Sequence, residues 1–526
     1  MKHRGKTYII LVLITIGCKI IGFLRESTLA YFFGANDYVD AFKMVWNLSG
    51  VLLGWLIAYS VVFVPVFSEI RSQSGEEQAG KYMRQLFWFT SLIALAFVTL
   101  ALLTTRQVVA VGALGFSEEK KRITEDMYRI GVLSYLIYPQ VTICCAYLNC
   151  NKKFISAGAA ALLISIIEIL FIILAYQLKQ PIIMAVGLPA SVLGEYIYVR
   201  FASRISETSL LREIRIFPLS QELKTTAKMS LPLFVSEIVY YLNDLIDNTF
   251  ASGLPEGSVA LLSYANLISS SFYTLVTSSI LTVFYTSISA KIAEKDRPGE
   301  VSELSGTLRL LMNVLVPFAL FAVLFSRWGV NIIYERGAFG ANEAEKTALA
   351  FSIYILAIPA ISFRNLTTKY FQANKKTHIP LILTVINIII NIILNFILIR
   401  LFGIFGLAAA TTLSYYALIP VEVLLIRKIC REIRFREEIK RIGLLSVVTL
   451  ATVIPFYFII RLVHLFYMDQ IFPVRIIMLI LFFCISAGIF LILAHLFKLF
   501  DIHTVIGTGI SWIRKKTQRG EKDPNE

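Results

Sequence analysis

Apolar runs of about twenty residues recur along almost the whole of this chain, and no other feature narrows its possible folds so far. ALLISIIEILFIILA from Ala161 and IIMLILFFCISAGIFLILA from Ile476 are two examples. A helix crossing the hydrocarbon core of a bilayer needs about 20 mostly apolar residues. With 57% of its 526 residues hydrophobic and only 16% charged, the chain carries more apolar surface than a water-soluble fold could hide. The expected fold is an all-α polytopic membrane protein with about fourteen transmembrane helices. They are placed near residues 8–33, 38–69, 84–112, 125–150, 155–177, 181–203, 226–252, 257–292, 304–333, 344–373, 377–401, 404–427, 441–465 and 472–499. The basic start followed by an apolar run resembles a signal peptide in polarity. Lys19, Arg25 and Glu26 interrupt that run and no small-residue cleavage site follows, so it reads as a retained first helix.

The net charge of +15 does not point to nucleic acid, because the cations lie in short loops rather than on one soluble face. Instead they orient the chain. Arg71, Lys81 and Arg84; Lys152 and Lys153; Arg204, Arg212, Arg215 and Lys224; Lys291, Lys295 and Arg297; Lys375 and Lys376; and Arg427 to Arg441 fall in alternate loops, with Arg514 to Lys522 in the tail. The opposite loops are poorer in cations, so both termini are expected in the cytoplasm. The six cysteines lack the spacings that bind zinc or staple a secreted fold, and Cys144, Cys145 and Cys150 share one apolar helix.

The chain also repeats itself. YLNCNKKFISAGAAALLISIIEILF from Tyr147 aligns with YFQANKKTHIPLILTVINIIINIIL from Tyr370, with Pro139 and Pro359 at similar distances upstream. A direct repeat six helices long gives halves of one orientation, related about the membrane normal. The expected organisation is two pseudo-symmetric six-helix lobes around a central cavity plus two C-terminal helices. In residues this is an N-lobe over 1–203, a cytoplasmic linker over 204–225, a C-lobe over 226–430, a helix pair over 431–500 and a cytoplasmic basic tail over 501–526.

Charges at bilayer depth are costly, roughly 2.5–3.5 kcal/mol each on insertion scales, and usually face a wet cavity or a partner. Lys19, Arg25 and Glu26 lie in the first helix, Asp40 and Lys43 open the second, and Asp244 and Asp247 occupy the matching helix of the second half. Lys19 and Arg25 suit phosphate oxygens, a guanidinium fork and an ammonium being matched to a diphosphate. Alternatively, Glu26 or Asp40 neutralises Arg25 as a structural pair. Asn387, Asn391 and Asn395 form a stripe at four-residue spacing; with Asp247 and Thr411 they offer oxygen atoms to a hard monovalent cation, or simply bond between helices. Glu168 and Glu195 are solitary, which fits helix-end snorkelling or a local hydrogen bond. Asn47 and Asn365 head chance glycosylation sequons inside predicted spans. No nucleotide-binding loop, metalloprotease helix or nucleophile elbow is present, so the chain is read as a transporter and not an enzyme.

Three blocks of the sequence resemble the MurJ (MviN) lipid II flippases of the multidrug/oligosaccharidyl-lipid/polysaccharide superfamily. They are GFLREST, YFFGANDYVDAF and VFVPVFSE within Gly22 to Glu69, ASGLPEGSVALLSYAN from Ala251, and ERGAFG with TALAFSIYILAIPA and YFQANKKTHIP within Glu335 to Pro380. The resemblance implies an alternating-access flippase of the bacterial cytoplasmic membrane that carries lipid II, the undecaprenyl-diphosphate-linked peptidoglycan precursor, for cell wall synthesis. It implies cargo contacts at Lys19, Arg25, Glu26 and Asp40, and a groove for the lipid tail on the last two helices. It also implies no bound cofactor, with membrane potential or an ion gradient as driving force and a sodium site at Asp247, Asn391, Asn395 and Thr411. Lipid-linked oligosaccharide, membrane lipids and wall-synthesis proteins are the expected partners. Two arginines of the family pattern are missing, one near Leu53 and Gly54, the other where Asn266 and Leu267 stand. A flippase for another undecaprenyl-linked saccharide, such as an exopolysaccharide or capsule repeat unit, therefore stays open, as does a non-transporting scaffold of a wall-synthesis complex. A drug exporter would need a more acidic cavity.

Overall fold

The computed structural model describes residues 2–204 and 217–499, almost entirely as helix. In chain order they are α1 (Lys2–Phe33), α2 (Asp37–Leu103), α3 (Thr105–Gly112), α4 (Glu118–Gly131), a 3-10 turn (Val132–Leu136), α5 (Tyr138–Cys150), α6 (Phe154–Gln177) and α7 (Ile183–Ser203). After these come α8 (Gln221–Ser252), α9 (Ser258–Ala293), α10 (Arg297–Leu324), α11 (Ser326–Ile333), α12 (Ala341–Ile355) and α13 (Ile358–Ala373). The chain closes with α14 (His378–Phe402), α15 (Ile404–Ile429), α16 (Phe435–Met468) and α17 (Phe472–Leu496). Arg212, Arg215, most of the expected linker and the tail over 501–526 lie outside the described residues.

A helix stands at each of the fourteen expected places. Ten helical stretches among the described residues are long and apolar enough to cross a membrane. The remaining places are α1, the first part of α2, α7 and α8; buried charges occur there, at Glu26, Asp40, Glu195 and Arg200, and on other helices too, at Glu168, Arg364 and Glu422. The segment with Arg71, Lys81 and Arg84 reverses the chain, as expected of a connection between two spans. There α2 is broken at Gly75, where φ is 83° and ψ 176°, and its two parts fold back on each other, with Phe63 stacked on Tyr82 at 5.9 Å and Trp55 at 5.6 Å from Phe97. Arg71 pairs with Glu76 across the turn and Lys81 with Glu77 just beyond it.

Local chemistry sets the boundaries. Asn36, Ser117, Ser220 and Asp296 cap the starts of α2, α4, α8 and α10 through side-chain oxygens that accept backbone N–H groups. Pro139 and Pro359 stand in the first turns of α5 and α13, where the missing N–H costs nothing. The two NKK corners share the same local hydrogen bonds and turn. Asn151 and Asn374 cap the two helices, each side-chain amide donating to the carbonyl of Tyr147 or Tyr370 at 3.0 Å. Lys152 and Lys375 then turn left-handed at φ 58° and 59°.

The helices sort into two compact units. The first comprises Met1–Ser271, Ile333–Ala350 and Leu381–Thr411. Its core includes Val141, Cys144, Leu148, Ala160, Val192 and Val199, from α5, α6 and α7. The second comprises Phe272–Ile332, Phe351–Pro380 and the described residues from Thr412 onward. There Trp328 stacks on Tyr467 at 4.1 Å and donates to His464 Nδ1 at 3.2 Å, fastening α11 to α16. The outer faces of α16 and α17 are apolar, with Leu462, Leu465 and Ile477 fully open, as expected of surfaces solvated by hydrocarbon.

Candidate functional site

On α1, the Arg25 guanidinium divides between two carboxylates. Nη1 donates to Glu168 Oε2 of α6 at 2.7 Å, and Nη2 donates to Glu26 Oε1 at 2.7 Å. The second oxygen of Glu26 takes the Lys43 ammonium from α2. Two cations and two anions thus form a neutral chain, which is how ionised groups persist in a low-dielectric interior. Trp46 lies 5.6 Å from the Arg25 guanidinium, and Tyr264 lies 5.4 Å from the Lys43 ammonium, so each cation also faces an aromatic ring. Arg25 keeps 20% of its side chain accessible while Glu168 keeps 3%, so Arg25 is the more open partner of the pair.

The reading of Glu168 as a snorkelling or locally bonded residue is corrected, because it sits mid-helix and pairs across 143 residues. Glu195 is also mid-helix and buried, with Oε2 unpartnered, so snorkelling does not describe it either. Lys43, read from the sequence only as a charge opening the second helix, belongs to the site. Lys19, six residues before Arg25, is half-buried and has no carboxylate at ion-pair distance among the described residues.

Asp40 takes no part in this chain. Its Oδ2 accepts from the Gly257 N–H at 2.8 Å and the Lys120 ammonium at 2.6 Å, while Oδ1 accepts from the Ala260 N–H at 2.8 Å. A carboxylate on α2 thereby caps the start of α9, where the exposed N–H groups favour an anion. The same corner gathers the three sequence blocks that carried the resemblance. The Ala338 N–H donates to the Tyr31 carbonyl at 2.8 Å, and the Tyr264 hydroxyl donates to the Gly34 carbonyl at 3.3 Å. Gly34, Gly257 and Gly337 all have positive φ, and a Cβ on any of them would meet a backbone oxygen within 2.6 Å.

A second polar cluster assembles around α8. Asp247 Oδ1 accepts from Asn395 Nδ2 at 2.9 Å and Oδ2 accepts from the Thr411 hydroxyl at 2.9 Å. Asn395 also donates to Asn391 Oδ1 at 3.1 Å. Of the five residues in the stripe reading, Asp247, Asn391, Asn395 and Thr411 therefore converge, and Asn387 stands one turn before Asn391 on α14. Asn387, Asn391 and Asn395 are buried, and the Oδ1 atoms of Asn387 and Asn395 accept no hydrogen bond. A buried carbonyl oxygen left over beside a carboxylate, a second amide and a hydroxyl is the all-oxygen donor set that a hard cation prefers.

The chain is a helical membrane protein with paired charges on its first two helices and an oxygen cluster on its eighth, and solved structures share its fold. The chain superposes on a lipid II flippase MurJ in an inward closed conformation with a TM-score of 0.73 at 23% identity, covering 92% of this chain and 98% of that one. It also superposes on an inward-facing multidrug resistance MATE family transporter of the MOP superfamily, with a TM-score of 0.69 at 13% identity, covering 78% and 94%. The profile of the lipid II flippase MurJ family matches residues 29–483, and the chain belongs to that family of transporters. Among its relatives, a probable lipid II flippase MurJ of Borreliella burgdorferi is 24% identical over 95% of this chain and 96% of its own length. Another, from Rickettsia prowazekii, is 24% identical over 77% and 80%.

Proposed function

We propose that this protein carries lipid II across the bacterial cytoplasmic membrane for cell wall synthesis, with Lys19 and Arg25 receiving the diphosphate. The observation behind this is the state of the two cations. Lys19 has no acidic partner among the described residues, and Arg25 is partly open but held by Glu26 and Glu168. Diphosphate oxygens match a guanidinium as well as carboxylates do, so the cargo exchanges for Glu168 or Glu26 instead of adding to a bare charge. That exchange spares the empty carrier an unpaired buried arginine and makes the pairing reversible, which a carrier that must release its cargo requires. Asp40, with both oxygens committed, acts in this reading on the corner between α2 and α9, which alternating access has to part and remake. Both termini in the cytoplasm and two six-helix lobes around the cargo path complete the proposal.

The oxygen cluster fits a sodium ion, held by Asp247, Asn391, Asn395 and Thr411, which would supply a driving force independent of nucleotide. The absence of cationic side chains at Leu53 and at Asn266 and Leu267 favours a second reading, in which the carried saccharide is another undecaprenyl-diphosphate derivative. Translocation by purified protein in vesicles separates these readings when lipid II is compared with an undecaprenyl-diphosphate-linked exopolysaccharide unit. Lipid II is expected to move faster. Lys19→Ala and Arg25→Ala are each expected to slow its transfer on the order of tenfold or more, the loss typical of a charge-assisted contact. Full transfer by both variants would remove the cargo role assigned to these residues. Preference for the other saccharide would select the second reading.

A further inference from the structure

The far end of α15, in the second unit, carries a feature that cargo transport does not use. Val421, Leu424, Leu425, Arg427, Lys428 and Arg431 line a concave pocket of about 650 Å³. That volume lies in the range of small-ligand sites, about 300–1,000 Å³. Its floor is aliphatic and its rim is cationic. Val421 and Leu424 are exposed, and Arg427, Lys428 and Arg431 are exposed one to two turns further on. The apolar residues therefore sit at membrane depth and the cations at the level of headgroups, on the end that the charge bias assigns to the cytoplasm.

None of the three cations has a carboxylate at ion-pair distance among the described residues, although acidic residues are close in sequence. Each of those is engaged elsewhere. Glu422 is buried and accepts from Arg364 at 2.8 Å and from the Thr367 hydroxyl at 2.9 Å. Glu432 accepts from the Cys430 thiol at 3.4 Å, and Glu437 pairs with Arg434 at 3.2 Å. Glu438 receives Arg309 through Nε at 2.8 and 3.0 Å. The Arg427 guanidinium lies 5.9 Å from the Phe435 ring, which restricts its orientation. Three surplus positive charges above an aliphatic trough complement one amphiphile in particular, an anionic head on a hydrocarbon chain.

We propose that this pocket binds an anionic phospholipid of the cytoplasmic leaflet, its phosphodiester held by Arg427, Lys428 and Arg431 and an acyl chain lying on Val421, Leu424 and Leu425. The site is separate from the residues assigned to cargo and to the cation, so the proposal stands or falls independently of the transport reading.

The test is native mass spectrometry of the full-length protein released from nanodiscs containing phosphatidylglycerol and phosphatidylcholine. Three proteins are compared: wild type, the triple variant Arg427→Gln, Lys428→Gln, Arg431→Gln, and a control of equal charge loss, Lys152→Gln, Lys153→Gln, Lys224→Gln. The triple variant is expected to weaken phosphatidylglycerol binding about tenfold or more, with the control close to wild type. Leu424→Trp leaves every charge in place and fills the trough, and is expected to lower retention of the same lipid; it decides the matter if the triple variant fails to fold. Equal retention by the triple variant and the control would overturn the proposal, because the cations would then act only as diffuse charge. Displacement by glycerol phosphate as effective as by intact lipid would also overturn it, because the occupant would then be a free phosphate.

Discussion

Asp40 shows how much one side chain can be asked to do. Its carboxylate caps a helix with two backbone bonds and neutralises Lys120, which also contacts Asp37 at 2.6 Å. Removing Asp40 by alanine leaves two N–H groups without their acceptor and Lys120 with Asp37 alone, whereas asparagine keeps one oxygen for the cap and loses the other together with the charge. In a double-mutant cycle of Asp40→Asn with Lys120→Met, thermal unfolding in detergent is expected to give a coupling of about 0.5–3 kcal/mol. Asp40→Ala is expected to be the least stable of the single variants. Legibility at this scale followed distance along the chain. The Asp247 cluster was partly visible because Asn387, Asn391 and Asn395 repeat at the helical period. Glu168 was not, because its partner lies on another helix and a lone glutamate has no period to betray it. Lys120 was hidden for a different reason: it stands among the mixed acidic and basic residues from Glu118 to Arg129, where no single charge is distinguished from its neighbours.

Among helices, apolar length was a good guide to existence and a poor guide to boundaries. Charged side chains at bilayer depth mark the functional helices better than apolar length does: α1 bears Lys19, Arg25 and Glu26, and α8 bears Asp247. Another pair escaped notice altogether. Arg364 of α13 donates to Glu422 of α15 at 2.8 Å, and the two side chains are only 10% and 1% exposed. Breaking such a buried pair from one side leaves an uncompensated charge, at a cost of about 3–5 kcal/mol, whereas replacing both partners with apolar residues of similar size is often nearly neutral. Glu422→Ala is therefore expected to lower the melting temperature sharply, and Arg364→Met with Glu422→Leu to restore most of it. A double variant as unstable as the single one would mean that the pair contributes more than mutual neutralisation.

For the molecule as a whole, orientation in the bilayer rests on where cations fall, and the fold adds a second duty to several of them. Among the described residues, every non-glycine with positive φ is a lysine or arginine: Lys152, Lys179, Arg204, Lys295, Lys375 and Lys498. All but Lys179 lie in segments assigned to the cytoplasm. The left-handed turn that ends a helix usually takes glycine, and an L-residue there gives up about 1–2 kcal/mol. A cation recovers part of that from the negative end of the helix dipole. Lys152→Gly with Lys375→Gly is expected to unfold at a higher temperature than wild type while a larger fraction of molecules inserts inverted, as scored by labelling a single cysteine with an impermeant thiol reagent from either side. An unchanged labelling ratio would show that the remaining loop cations suffice. The instruction to stop winding and the instruction to stay inside are thus written with a single letter. A lineage could change these corners to glycine and gain a sturdier protein, but it would risk building that protein upside down.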